Sequence, residues 1–125
     1  MNKKLFIILV SLFLVFSISS VNASEKITAS PGDIFAVYGP DTPAGQSYSY
    51  AIEVDSTVYY FDDSIASKLA SYSPKFAEVF SQVNNNQIAG TSEFNNDKSF
   101  EFEYISGQQV GMNKDAHVIT EIYLS

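Results

Sequence analysis

An apolar segment at the N-terminus decides which part of this chain is free to fold into a domain. Lysines at positions 3 and 4 precede an apolar run over residues 5–18, which only small serines interrupt. A short basic region followed by such a run is typical of a secretion signal. The run is also shorter than the ~20 residues that a membrane-spanning helix needs.

The residues after the run match a cleavage site for signal peptidase. Val21 and Ala23 stand at positions −3 and −1 of a cut before Ser24, and small residues at these positions are what the enzyme accepts. We therefore predict a cleavable signal peptide at residues 1–23 and a single small extracytoplasmic domain at residues 24–125. The alternative is an uncleaved membrane anchor.

The charge of the predicted domain excludes one large class of partners. Cleavage would leave 5 lysines, no arginine and 14 acidic residues, a net charge of about −9. Binding of nucleic acid requires cationic side chains that displace counterions from the phosphates. We therefore expect no nucleic-acid partner and, because no second long apolar run follows, no stable membrane insertion after cleavage. The chain has no cysteine, so packing rather than disulfides must stabilise the exported domain.

The secondary-structure pattern predicts an α+β fold with a mainly antiparallel sheet. Eight tyrosines and ten phenylalanines favour strands, whereas apolar residues at helical spacing and two capping motifs mark a central helical segment. The predicted order is β-β-β-α-α-β-β-β. The strands are expected at 33–38, 48–54, 57–61, 87–94, 99–105 and 116–124, and the helices at 62–70 and 74–83. The strand at 33–38 is apolar on both faces and is expected to be buried. Asp55 and Ser56 are expected to form the turn of a hairpin, and Ser73 is expected to cap the second helix.

This order resembles that of the OB-fold, a small barrel with a helical segment between its third and fourth strands, with one strand extra. The resemblance is one of layout and implies a small barrel. The remaining segments are predicted to be irregular: a polar lead-in at residues 24–31 and surface loops at residues 40–47 and 106–114.

Few side chains are arranged for catalysis or metal binding. Glu101 and Glu103 project from one face of a predicted strand, as the carboxylates of a hydrolase would, but the alternating apolar residues explain this pattern as a solvated face. Asn95, Asp97 and Ser99 resemble the start of a calcium loop and then lack its glycine and final glutamate. We therefore predict no catalytic residues, no metal ligands and no cofactor.

Two further features fit structural roles. Asp62 and Asp63 stand where a helix N-cap is expected. His117 is the single histidine; it has no other His or Cys to share a zinc ion with, and we expect it to face water on a strand.

The tyrosines of the predicted strands are the candidate binding residues. Exposed tyrosine rings on a sheet stack well against sugars or apolar partner side chains, whereas buried ones fill the core. We expect Tyr48 and Tyr50 on one face of their strand, and the consecutive Tyr59 and Tyr60 on opposite faces. The candidate binding residues are Tyr48, Tyr50, Tyr59 and Tyr60.

Taken together, these features predict a secreted, non-catalytic binding module that recognises a protein partner or a neutral glycan. A secreted inhibitor or immunity-type protein with an acidic surface is the first alternative. A small hydrolase that uses carboxylates such as Glu101 and Glu103 is the second.

The signal peptide gives a direct prediction for the exported protein. When the full-length gene is expressed in a bacterial host, we expect the protein outside the cytoplasm to begin at Ser24, as intact-mass spectrometry would show. Recovery of the uncut chain from the membrane fraction would instead support the anchor.

Overall fold

The computed structural model describes residues 25–124 of the chain. The predicted signal peptide at residues 1–23 and its cleavage site lie outside the described residues and stay predictions. Within the described range the chain forms seven strands, two α-helices and one short 3₁₀ turn. The strands are β1 (Ile27–Ala29), β2 (Ile34–Tyr38), β3 (Tyr50–Val54), β4 (Thr57–Phe61), β5 (Thr91–Asn95), β6 (Phe100–Val110) and β7 (Asn113–Tyr123), and the helices are α1 (Asp63–Tyr72) and α2 (Pro74–Asn84).

All seven strands belong to one sheet, in the order β1-β6-β7-β4-β3-β2-β5. Every neighbouring pair is antiparallel except β4 and β7, which run parallel. The sheet curls into a half-barrel, and the two helices pack on one of its faces. The predicted α+β class with a mainly antiparallel sheet is therefore confirmed.

The N-terminal lead-in is not irregular throughout, as predicted, because it contains β1. Ile27 pairs with Phe102 at the far edge of the sheet, while Ile34 of β2 pairs with Asn95. The connecting segments 30–33 and 96–99 have equal lengths, so the β1–β6 and β2–β5 ladders keep a single common register. The β1–β6 edge of the sheet is thus joined to the β2–β5 edge by the two connecting segments, 30–33 and 96–99.

Asn96 ties these two connecting segments together. It is buried, and its side-chain amide donates a hydrogen bond of 3.0 Å to the carbonyl of Ser30. Its own backbone N–H donates to Asp33 at 2.8 Å, and its carbonyl accepts from Gly32 at 2.9 Å. Each polar group of Asn96 that is buried here thus has a partner, as buried polar groups require.

Each helix begins at a side-chain cap, as the sequence predicts. The Asp62 carboxylate accepts a hydrogen bond from the Ile65 N–H at 3.0 Å at the start of α1. Ser73 caps α2 by accepting from the Phe76 N–H at 3.1 Å. The Ser73 hydroxyl also donates to Asp97 at 2.5 Å, which links α2 to the β5–β6 connection. The predicted capping role of Asp62 is confirmed.

The core lies between the helices and the sheet and is built largely from aromatic rings. Phe76 of α2 has its ring centroid 5.0 Å from that of Phe35 and 5.9 Å from that of Phe61. Ile65, Ala66 and Leu69 of α1 are buried beside them. A buried aromatic side chain removes about 150–250 Å² of surface from water, so this cluster supplies much of the domain's hydrophobic stabilisation.

The first hairpin forms as predicted. β3 and β4 pair directly through the turn at Asp55 and Ser56, which have φ values of 50° and 66°. Positive φ at both central residues is the geometry of a type I′ turn, whose twist matches that of the flanking strands.

The segment predicted as the loop 106–114 is instead the end of a long hairpin. β6 runs on to Val110 and β7 starts at Asn113, with several register shifts along their ladder. Gly107 adopts a φ of 71° beside one of these shifts, as expected of a β-bulge. Gly107 lies at the bulge, and Gly111 lies in the tight turn between β6 and β7. The predicted strand at 87–94 is also shorter, because β5 begins at Thr91.

No helix among residues 25–124 combines the length and apolar character needed to cross a membrane.

Tyr50 gives a stability prediction. Its side chain is fully buried, and within residues 25–124 its hydroxyl has no hydrogen-bond partner. A buried hydroxyl without a partner costs about 1–3 kcal/mol, so Tyr50→Phe should raise the free energy of unfolding by about 1 kcal/mol in urea denaturation.

Tyr72→Phe is the matched control for this substitution. The Tyr72 hydroxyl donates to the Ser99 carbonyl at 2.7 Å, so its loss should lower the free energy of unfolding by about 0.5–1 kcal/mol. Destabilisation by Tyr50→Phe would show that the Tyr50 hydroxyl is hydrogen-bonded after all.

Candidate binding surface

The two faces of the sheet have different environments, and β4 shows the division. Tyr59 and Phe61 point into the core beneath the helices, where both are buried. Tyr60 lies between them in sequence and therefore points to the opposite face. There it packs against a small second cluster of buried residues, which consists of Val110, Ala116 and Val118.

The structure separates the four candidate tyrosines into two pairs. Tyr50 and Tyr59 are 0% and 6% exposed and belong to the core. Tyr48 and Tyr60 remain partly exposed and share the face that the helices leave free. The expectation that Tyr48 and Tyr50 share a face is wrong, because β3 starts only at Tyr50 and strand alternation does not extend back to Tyr48.

Tyr38 joins Tyr48 and Tyr60 on this face. The ring centroid of Tyr60 is 5.9 Å from that of Tyr38 and 6.3 Å from that of Tyr48, and both pairs are inclined by 36°. Tyr60 is thus the middle ring of three. We call this group of Tyr38, Tyr48 and Tyr60 the tyrosine surface.

The strand register places small side chains and one carboxylate beside these rings. Reading across the sheet, Glu93 pairs with Ala36, Ala36 with Ala51, and Ala51 with Tyr60. Directly paired residues project from the same face. Of the two alanines between Tyr60 and Glu93, Ala51 is buried, whereas Ala36 is partly exposed and forms a low alanine floor beside the Glu93 carboxylate.

The same row continues as an apolar strip on the other side of Tyr60. Tyr60 pairs with Val118 of β7, and Val118 pairs with Ile105 of β6. The Ile105 side chain is 47% exposed. The free face therefore offers aromatic and aliphatic surface together.

The loop between β2 and β3 packs against the tyrosine surface in a fixed conformation. Thr42 donates through its hydroxyl to the Gly39 carbonyl at 2.8 Å and accepts from the Gly45 N–H at 2.9 Å. A Cβ atom at Gly45 would lie 1.9 Å from the Gly39 oxygen, so only glycine permits this close approach. Ala44 packs in the same cluster as Tyr48 and Tyr60.

The tip of the β6–β7 hairpin meets this loop. Gly111 has a φ of 58°, and a Cβ atom there would lie 3.2 Å from the Pro43 Cβ. The predicted loops 40–47 and 106–114 thus come together beside Tyr48 and Tyr60, although only their tips are irregular. This juxtaposition cannot be read from the sequence, since it depends on the pairing of β4 with β7.

The electrostatic field at the tyrosine surface is negative. Burial, the neighbouring Tyr60 hydroxyl and the carboxylates of Glu93 and Glu53 raise the pKa of Tyr38 to about 12. Glu53 and Glu93 are both exposed. The surface is therefore unsuited to anionic ligands and favourable to neutral or cationic ones.

The carboxylates considered for hydrolysis lie elsewhere. Glu101 borders an open groove of about 350 Å³ between β1, β6 and the end of β7. Glu103 accepts a hydrogen bond from the Tyr123 hydroxyl, which raises the pKa of Tyr123 to about 12. Glu103 is thus engaged in a hydrogen bond with Tyr123.

The residues weighed as a calcium loop take structural roles. Asp97 accepts the hydrogen bond from Ser73 described above, and Asn95 pairs with Ile34 in the sheet. Among residues 25–124 no group of three or more His, Cys, Asp and Glu side chains is arranged to hold a metal ion.

His117 does not simply face water as expected. Its Nδ1 is 2.7 Å from the Ser106 Oγ, and its ring centroid lies 5.6 Å from that of Tyr59 and 5.2 Å from that of Tyr104. A nucleophile and a base are thus in contact, but within the described range the imidazole makes no hydrogen bond to a carboxylate that would orient it. The bulge at Gly107 brings Ser106 to this position.

Tyr38 is the one member of the surface that the sequence interpretation missed. Residues 33–38 are apolar at almost every position and indicate a fully buried strand, so Tyr38 was expected to be buried on either face. The available signal was its place at the end of that strand, beside the loop 40–47.

No protein-family model, no curated protein and no solved structure matches this chain.

The raised pKa of Tyr38 leads to a pH-dependence prediction. Between pH 10 and 12 the unfolded chain loses a tyrosine proton that Tyr38 retains in the folded state, so the free energy of unfolding falls as pH rises. Tyr38→Phe removes this contribution. Above pH 10 the free energy of unfolding of the Tyr38→Phe variant should therefore fall less steeply than that of the wild type. Urea denaturation at a series of pH values measures both. Equal slopes would contradict the burial of this hydroxyl.

Proposed function

We propose that this chain is an exported, non-catalytic binding module that holds a protein partner or a neutral glycan on its tyrosine surface. The observation behind the proposal is the meeting of three partly exposed tyrosine rings on the face that the helices leave free. Tyrosine supplies a large, rigid contact area with few rotatable bonds, so little conformational entropy is lost when it binds.

The fixed conformation of the neighbouring loop supports this role. Gly45 and Thr42 hold the loop against Gly39, and the hairpin tip at Gly111 packs on Pro43. A surface whose walls are already ordered does not have to order them when a ligand arrives, and this increases affinity.

We also propose that the domain is a variant of the OB-fold barrel. The common register of the two ladders allows β1–β2 to count as one bent strand and β5–β6 as another. The order then becomes three strands, the helical segment and two strands, as in an OB-fold.

The OB-fold assignment, an analogy at the level of fold, supports the choice of surface. OB-folds bind ligands on the face of strands 2 and 3, between the loops that join strands 1 to 2 and 4 to 5. Here those strands are β3 and β4. The corresponding loops are the one between β2 and β3, which contains Gly45, and the tip of the β6–β7 hairpin, which contains Gly111. Many OB-folds bind oligonucleotides, but the negative field around Tyr38 and the net charge of −7 favour a neutral or cationic ligand.

Binding assays on the exported protein test this function. We expect the protein to bind on a neutral glycan array or in surface-plasmon-resonance assays against purified envelope and host proteins. The double variant Tyr48→Ala/Tyr60→Leu should weaken the binding at least tenfold, about 1.4 kcal/mol, because buried aromatic contacts dominate such interfaces.

Tyr72→Leu is the matched control. Tyr72 is a partly exposed tyrosine at the end of α1, away from the tyrosine surface, so its loss should leave the affinity unchanged. Circular dichroism must show that both variants are folded. Equal affinity of the double variant and the wild type for every ligand found would overturn the proposed function.

A further inference from the structure

Two carboxylates beside the tyrosine surface have no cationic partner within residues 25–124. Glu53 and Glu93 are exposed, and the ion pair found in that range joins Lys68 to Glu121 at 3.8 Å. Burial is the main cause of the raised pKa of Tyr38, and both carboxylates add to it. Uncompensated negative charge therefore surrounds the aromatic rings.

The register shows how rings and carboxylates are distributed around the alanine floor. Ala36 and Ala51 lie in the row that runs from Glu93 to Tyr60. Because β2 and β3 are antiparallel, Tyr38 lies on one side of this row and Glu53 on the other. The floor is thus bordered by two tyrosines and two glutamates, and the row spans roughly 14 Å at strand spacing.

Two lysines of this chain make cation–π contacts with tyrosine rings outside the tyrosine surface. The Lys26 ammonium lies 4.2 Å from the centroid of the Tyr123 ring, and the Lys98 ammonium lies 4.6 Å from that of Tyr72. No lysine of residues 26–114 lies over the rings of the tyrosine surface in this way. The rings of the tyrosine surface, which lie beside Glu53 and Glu93, are therefore left to an external cation.

We propose that the tyrosine surface binds the ammonium group of a lysine side chain presented by a protein partner. The ammonium group lies over Ala36, the exposed part of the floor, against the rings of Tyr38 and Tyr60, and donates hydrogen bonds to Glu53 and Glu93. This inference rests on the proposed function and selects the protein partner over the glycan.

The chemistry of the site favours lysine over other cations. A tyrosine ring attracts a cation through its negative face, and this holds equally for quaternary ammonium groups. Carboxylates on two sides of the floor favour a compact cation with several N–H donors. A quaternary ammonium has no such donor, and arginine presents its donors as a planar fork better matched to one carboxylate.

A titration with short peptides tests the inference directly. The probe is N-acetyl-Gly-Lys-Gly-amide, added to the exported protein and followed through the NMR signals of the tyrosine rings. We expect the signals of Tyr38 and Tyr60 to shift, with a millimolar dissociation constant. Acetylation of the lysine should weaken binding at least tenfold, and raising the salt from 20 mM to 150 mM should weaken it severalfold.

Substitutions separate the charge from the aromatic surface. Glu53→Gln/Glu93→Gln keeps the shape of both side chains and should weaken binding of the lysine peptide about tenfold. The matched control is Glu78→Gln, because Glu78 is an exposed glutamate on α2 and its loss changes the net charge without touching the surface. Tyr60→Phe should retain binding, since the ring remains, whereas Tyr60→Leu should lose it.

Each remaining outcome distinguishes this inference from the proposed function. Equal binding of the acetylated peptide, the arginine peptide or choline would overturn the assignment to lysine. Loss of a partner or glycan upon Tyr60→Leu, with no effect of the glutamate substitutions, would overturn the cationic ligand and leave the proposed function intact. If substitution of Tyr48 and Tyr60 changed the affinity for no ligand, both this inference and the proposed function would be overturned.

Discussion

The packing of Phe76 against the sheet is the contact on which the rest of this structure depends. Its ring reaches Phe35 of β2, Tyr50 of β3 and Phe61 of β4, with centroids 5.0, 5.7 and 5.9 Å away. One side chain thus fixes a helix to three strands. Ser73 caps this helix and also donates a hydrogen bond to Asp97, so the position of the helix also fixes the connection from β5 to β6.

This packing determines which face of the sheet the helices leave free. Helices cover the side that carries Phe35, Phe61 and Tyr59, so the alternation along β2 and β4 leaves Tyr38 and Tyr60 on the other side. The loop after β2 covers only part of that side. The domain has no disulfide and concentrates most of its aromatic rings in one core; the three rings left outside it form the surface that we propose for recognition.

Much of the fold could be predicted from local sequence signals, and the errors have physical causes. The two-residue turn at Asp55 and Ser56 and the cap at Ser73 are short-range features, and both predictions are confirmed. β1 was missed because two apolar residues, Ile27 and Ala29, are too few to show alternation, and their pairing with β6 is a long-range event. The end of the β6–β7 hairpin has the sequence pattern of a loop, because a bulge at Gly107 interrupts its alternation.

The site was harder to predict than the fold for a related reason. Sequence alone placed Tyr59 and Tyr60 on opposite faces, but it did not say which face the helices would cover. It also assigned Tyr48 the phase of a strand that begins two residues later. Tyr38 became part of the site only through its approach to Tyr60, which requires the register of three neighbouring strands.

The common register of the β1–β6 and β2–β5 ladders has a consequence for how the chain folds. Ser30 and Asn96 meet between the ladders and are 66 positions apart. Forming this contact therefore costs the conformational entropy of closing a long loop before strand pairing can offset that cost. Once it is closed, strand pairing extends from the same point in both directions without a choice of alignment. Folding is therefore expected to be slow to start and cooperative once started, as for other topologies dominated by distant contacts.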